Sequence, residues 1–195
     1  MKYILIFILI LIPKMVMSDF FKNISNLIEN NTDRLSYGVS VADINNDNNF
    51  EFIVAGFRYQ NLALGFRDGV LKNLINNSIF SDDKRSTIGV ASCDIDQDGI
   101  EETYFLNTDT YSGEKKYSDR LLNFNKEITD LFELPKNQKN LNLTAGRSVV
   151  CVDRKGDGKY GFYVANYGGP TRFYELNNDL IPVSYTHLTL PTRAQ

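Results

Sequence analysis

Histidine is nearly absent from this sequence: it occurs once in 195 residues, as His187, close to the carboxy-terminal end. The body of the chain therefore has no imidazole, which excludes Ser-His and Cys-His nucleophilic catalysis and His-ligated zinc from it. Tryptophan is missing, and the 12% aromatic content rests on Phe and Tyr, which is ordinary for one packed core. No block of Lys and Arg occurs, so nucleic acid and anionic membrane surfaces are excluded as partners. No apolar run reaches the ~20 residues that a membrane span needs. Pro13 and Lys14 interrupt the stretch at 3–12 too early, which excludes a membrane anchor. A carboxylate pair for glycoside chemistry could be drawn only from Asp82, Asp83, Glu114 and Asp119. Those lie in polar segments with no aromatic cluster beside them and read as solvated surface.

What is present begins with a leader. Lys2, the apolar stretch at 3–12 and the small Ser18 mark residues 1–18 as a secretory signal peptide cleaved after Ser18. Losing Lys2 and Lys14 with it takes the formal charge from −3 to −5. A secreted, extracellular protein is expected. Asn-x-Ser/Thr sequons at Asn23, Asn30, Asn76 and Asn142 are its glycosylation candidates. The cysteines, Cys93 and Cys151, stand one and two residues before Asp94 and Asp153. That offset points them to opposite faces of equivalent strands, so neighbouring stacked sheets would bring them face to face. The spacing leaves two readings open, a disulfide in an oxidising compartment and a pair of small buried thiols.

Residues 94–102 read Asp-Ile-Asp-Gln-Asp-Gly-Ile-Glu-Glu. Asp94, Asp96, Asp98 and Glu102 occupy positions 1, 3, 5 and 9, and Gly99 at position 6 allows a sharp turn. Carboxylates packed this densely repel one another unless a cation sits among them. An oxygen-only donor set on an irregular loop suits calcium better than magnesium. An EF-hand is excluded, because its bidentate Glu would fall at Phe105 and the flanks are short, β-branched and aromatic like strands.

The pattern repeats. Residues 37–51 align with 88–102, so that Asp43 matches Asp94, and 147–161 align again with Asp153 leading. Asp68-Gly69 favours a tight hairpin between two further strands, and equivalent strand pairs follow in the second and third units. Each unit thus reads as a four-stranded antiparallel sheet, near 37–75, 88–132 and 147–183. Such sheets must stack to bury their faces, which gives an all-β architecture of propeller type. Segments 81–87 and 108–119 read as exposed loops, and no helix is predicted.

These motifs resemble the FG-GAP, or VCBS, repeats of integrin-α-type β-propellers, over residues 19–176. Within that class the chain looks like the amino-terminal part of a secreted member. The resemblance implies a partial propeller of about three blades, a truncated fragment whose remaining blades and carboxy-terminal modules lie elsewhere. It also implies a calcium-binding protein of the extracellular matrix or cell surface that contacts other extracellular proteins and is not an enzyme. By analogy, loop two would hold Ca2+ with Asp94, Asp96, Asp98, Glu102 and the carbonyl of Ile100. Loop one would use Asp43, Asn45, Asp47, Glu51 and the carbonyl of Asn49. It departs from the pattern at Asn45 and Asn48. Loop three keeps Asp153 and Asp157 but has Lys155 at position 3 and Gly161 at position 9, so the expectation there is an ammonium in place of an ion. The alternatives are a propeller lyase or hydrolase with its active site on other blades, and an integrin-α-like receptor. Residues 184–195 do not continue the pattern and resemble a translated linker, a non-native tail.

Overall fold

The structure, a computed structural model, describes residues 21–177 and the backbone of 182–185. The signal-peptide reading and most of the tail reading fall outside those residues. Three four-stranded antiparallel sheets follow one another along the chain. The first holds β1 (Ser36–Ala42), β2 (Glu51–Gly56), β3 (Leu62–Arg67) and β4 (Val70–Asn73). In the second are β5 (Thr87–Cys93), β6 (Glu102–Asn107), β7 (Arg120–Asn123) and β8 (Thr129–Asp130). The third is built from β9 (Gly146–Val152), β10 (Gly161–Asn166), β11 (Arg172–Leu176) and β12 (Pro182–Tyr185). Strand β12 pairs with β11 through Ser184 and Tyr185, so the ladder runs past the boundary expected at 183.

Strand alternation decides what each sheet buries. Ala42, Ile53, Ala55 and Ala63 of the first sheet meet Val90, Phe105 and Leu122 of the second. The opposite face of that second sheet sends Ala91, Tyr104, Leu106 and Leu121 against Phe162, Val164 and Tyr174 of the third. Every residue of β6 and β7 is consequently buried. The first strands β1, β5 and β9 lie side by side, and Gly38 approaches Gly89 so closely that an added Cβ would sit 3.0 Å from its Cα. Asp68 and Gly69 both take positive φ, 53° and 81°, as the hairpin between β3 and β4 requires.

Two expectations need correction. Short helices do occur: α1 (Ser78–Ser81), capped by the Asn77 side chain, and 3-10 turns at Ser25–Leu27 and Pro135–Asn140. Segments 81–87 and 108–119 are not simply exposed loops, since each carries buried charge. Asp119 and Lys115 are buried and paired; Asp119 also accepts from Tyr104 Oη at 2.7 Å and Asn142 Nδ2 at 2.6 Å. Asp82 accepts from Arg85 at 2.8 Å and Arg120 at 2.7 Å. The segments cross the junction between sheets, and a polar residue is tolerated there because it finds partners both within its own segment, as Lys115 and Arg85 show, and on neighbouring strands, as Tyr104 and Arg120 show. Asn142 is likewise fully buried with its amide spent on Asp119 and Asn166, so a glycan has no room on it; Asn23, Asn30 and Asn76 are exposed.

Candidate metal centre

Each Asp-led loop joins the first two strands of a sheet, and all three emerge at the same end of their sheets. They share one backbone shape: positions 4 and 6 have positive φ in each, Asn46 and Asn48, Gln97 and Gly99, Gly156 and Gly158. Asn enters that region at little cost, which is why loop one closes without the glycine. The leading Asp is held by the loop's own amides. Asp43 accepts from the amides of Asp47 and Asn48, and Asp94 from those of Asp98 and Gly99. Asp153 receives Lys155, Gly156, Asp157 and Gly158, and those bonds hold its carboxyl below the usual range.

In loop two, carboxylate oxygens of Asp94, Asp96 and Glu102 lie within 4.8 Å of one another. Glu102 is fully buried, at 0% exposure. Burial raises its carboxyl to about 8, and the charges of Asp96, Asp98 and Asp94 push the same way. Its Oε2 accepts the Ile95 amide at 3.0 Å and its Oε1 the Asn123 amide at 2.8 Å. Asn123 also reaches Asp96, and Asn125 donates to Asp98 at 2.8 Å.

Loop one places Asp43, Asn45, Asp47 and Glu51 around the same turn, with Asp47 bonded to the backbone amide of Asn49. Glu51 is also fully buried, but its Oε1 has no hydrogen-bond partner. The pairing of β3 and β7 explains the difference. Leu64 opposite Phe52 corresponds to Leu122 opposite Thr103, so Gly65 stands where the second sheet has Asn123. Two positions on, Arg67 replaces Asn125 and pairs with Asp47 at 3.3 Å, with Glu51 3.9 Å away.

Loop three has lost the ninth-position acid for a steric reason. A Cβ on Gly161 would lie 2.5 Å from the Tyr174 carbonyl oxygen and 2.9 Å from the Phe173 ring. Among the described residues Lys155 forms no ion pair with Asp153 or Asp157, and the neighbouring Arg154 donates to Glu175 of β11 at 2.8 and 3.0 Å.

In loop two an all-oxygen set with converging carboxylates fits a hard dication, while loop one brings oxygen donors to the same turn with Arg67 paired to Asp47 beside a buried Glu51 Oε1 that has no hydrogen bond. Sequence reasoning named those acids but missed Asn123, Asn125, Arg67 and Gly65. Extending the repeat alignment through the third strand of each unit would have put them at equivalent positions. The structure joins Cys93 of β5 to Cys151 of β9 in a disulfide, with Cα atoms 6.2 Å apart. Among the described residues no helix is long and apolar enough to cross a membrane.

No protein-family model matches the chain. It is 43% identical to cartilage acidic protein 1 of Xenopus tropicalis, over 76% of this chain and 26% of that protein. Identity to the human protein of the same name is 39%, over 83% of this chain and 27% of that protein. For the mouse protein it is 37%, over 83% and 28%. The chain spans about a quarter of the length of these curated relatives. Over most of its own length it is homologous to cartilage acidic protein 1.

Proposed function

We propose that this chain is part of a secreted, calcium-stabilised β-propeller of FG-GAP type, in which the three sheets are consecutive blades. Its role is structural and adhesive, contacting other extracellular proteins of the matrix or cell surface, and it performs no catalysis. The observation that carries the calcium reading is the meeting of Asp94, Asp96 and Glu102 within 4.8 Å, Glu102 being fully buried. Burying a carboxylate among like charges is costly unless a cation neutralises them. In loop one the buried Glu51 Oε1 has no hydrogen bond and only the Arg67 guanidinium, 3.9 Å away, beside it, which leaves room for a cation ligand there. Calcium bound there supplies charge neutralisation and ties the two ends of each loop together. Both sites are expected near the 10⁻⁴ to 10⁻³ M affinities of extracellular modules, which keeps them occupied outside cells. Homology to proteins named for cartilage supports the extracellular setting.

Affinity should follow acid count. Loop two offers Asp94, Asp96, Asp98 and Glu102, loop one Asp43, Asp47 and Glu51, and loop three only Asp153 and Asp157. Calcium titration by calorimetry is expected to show Asp98→Asn weakening the tightest site about tenfold or more, while Asp157→Asn leaves the isotherm unchanged. Reduced stoichiometry from Asp157→Asn, with Asp98→Asn silent, would reverse the assignment of the loops.

A further inference from the structure

The loops at the common end of the sheets are not independent. Glu101, at position 8 of loop two, does not turn into its own loop. Its Oε2 accepts the backbone amide of Asp43 at 2.9 Å, across the junction between the first and second sheets. Asp43 is the leading ligand candidate of loop one and is itself buried. Phe50 and Tyr160 stand at the same position in the other loops, so only loop two brings a charge to it. Loop two contacts loop three differently, through a neutral bond from Gln97 Nε2 to the Gly158 carbonyl at 3.2 Å. The carboxylate bridge therefore joins the two acid-rich loops, while a neutral amide reaches the loop that has no ninth-position acid.

We propose that Glu101 is a positioning residue that couples the ion sites of loops one and two, so that filling one favours filling the other; this rests on the calcium reading above. An ion in loop two draws Asp94, Asp96, Asp98 and Glu102 together and so fixes the backbone that carries Glu101. Glu101 then holds the amide of Asp43 and with it the start of loop one, where the buried Glu51 Oε1 makes no hydrogen bond and has Arg67 3.9 Å away. Its negative charge, held against the Asp43 amide, also offsets part of the repulsion between two dications. Loop one, with Asn45 where loop two has Asp96, has the greater need of that charge. Coupling is reciprocal by linkage, and values of about 5- to 150-fold are typical between sites.

The test is calcium calorimetry on the secreted chain, wild type against Glu101→Ala and Glu101→Gln, with Asp96→Asn to disable loop two. Wild type is expected to bind two ions with positive coupling of about tenfold. Glu101→Ala should weaken loop one by that factor, abolish the coupling and leave loop two unchanged. Glu101→Gln keeps an acceptor for the Asp43 amide but not the charge, so it should recover part of the loss. Asp96→Asn should weaken loop one although it touches none of its ligands. Melting in chelator checks that each variant is folded, and the Gln variant carries the test if the Ala variant is not. Two ions bound with isotherms indifferent to Glu101 would overturn the coupling and leave the calcium reading standing. No ion bound by the wild type would overturn both.

Discussion

Glu51, Glu102 and Gly161 hold the same position in three successive loops, and their different fates show how much one neighbour decides. Glu102 is answered by Asn123, Glu51 faces Gly65 and keeps an oxygen with no hydrogen bond, and Gly161 leaves no space for any side chain. Restoring the missing acid in loop three should therefore fail. Gly161→Glu drives a Cβ to 2.5 Å from the Tyr174 carbonyl, and a clash of that kind costs about 1–3 kcal/mol. Urea unfolding should show the loss, and calorimetry should detect no added calcium site. A variant of wild-type stability that binds an extra ion would mean that β11 yields where the packing says it cannot. The residue-level pattern was legible as far as the acids themselves, because Asp-x-Asp-x-Asp-Gly is a local signature. What covers each acid was not, because Asn123 and Gly65 lie 21 and 14 residues downstream and arrive only when the third strand pairs.

At the scale of elements, the strands and their turns followed from alternation, turn dipeptides and the internal repeat. Short α1 was missed because four residues capped by Asn77 carry no periodic signal. The disulfide belongs to this scale too, since it links β5 to β9 and hence the second sheet to the third. It closes a separation of 58 residues, which in the chain-entropy account is worth about 4 kcal/mol. Cys151→Ala is expected to lower the stability by that order, and the intact secreted protein should weigh two hydrogens less than its reduced form. If both cysteines react with a thiol reagent in unfolded, unreduced protein, the link does not form.

On the scale of the whole molecule, the second sheet is sandwiched and the outer face of the first is open. Val39 and Val41 are 63% and 52% exposed, and Phe52 and Phe66 share their face. A contiguous apolar face of this kind seeks cover, which in a complete ring of blades a neighbouring sheet would supply. Expressed alone, the chain is expected to self-associate with rising concentration, and Val39→Glu with Val41→Lys should reduce that association. Light scattering decides it: a monodisperse monomer with a sharp melt at high concentration would contradict the open-face argument.

The sequence by itself determined the all-β class, the repeat, the three loops and the acids in them, because period-two alternation, glycine and asparagine turns and the spacing of acids are short-range properties. Tertiary structure alone decided that Asp82, Lys115, Asp119 and Asn142 are buried rather than solvated. It also decided that Arg154 of the third loop reaches Glu175 of β11, and that Glu101 reaches Asp43. In each of these cases at least one partner comes from another strand or another sheet, beside the local pairs Lys115–Asp119 and Arg85–Asp82. Whether a polar side chain meets water or a partner depends on which sheets stack, a long-range outcome that no local pattern encodes.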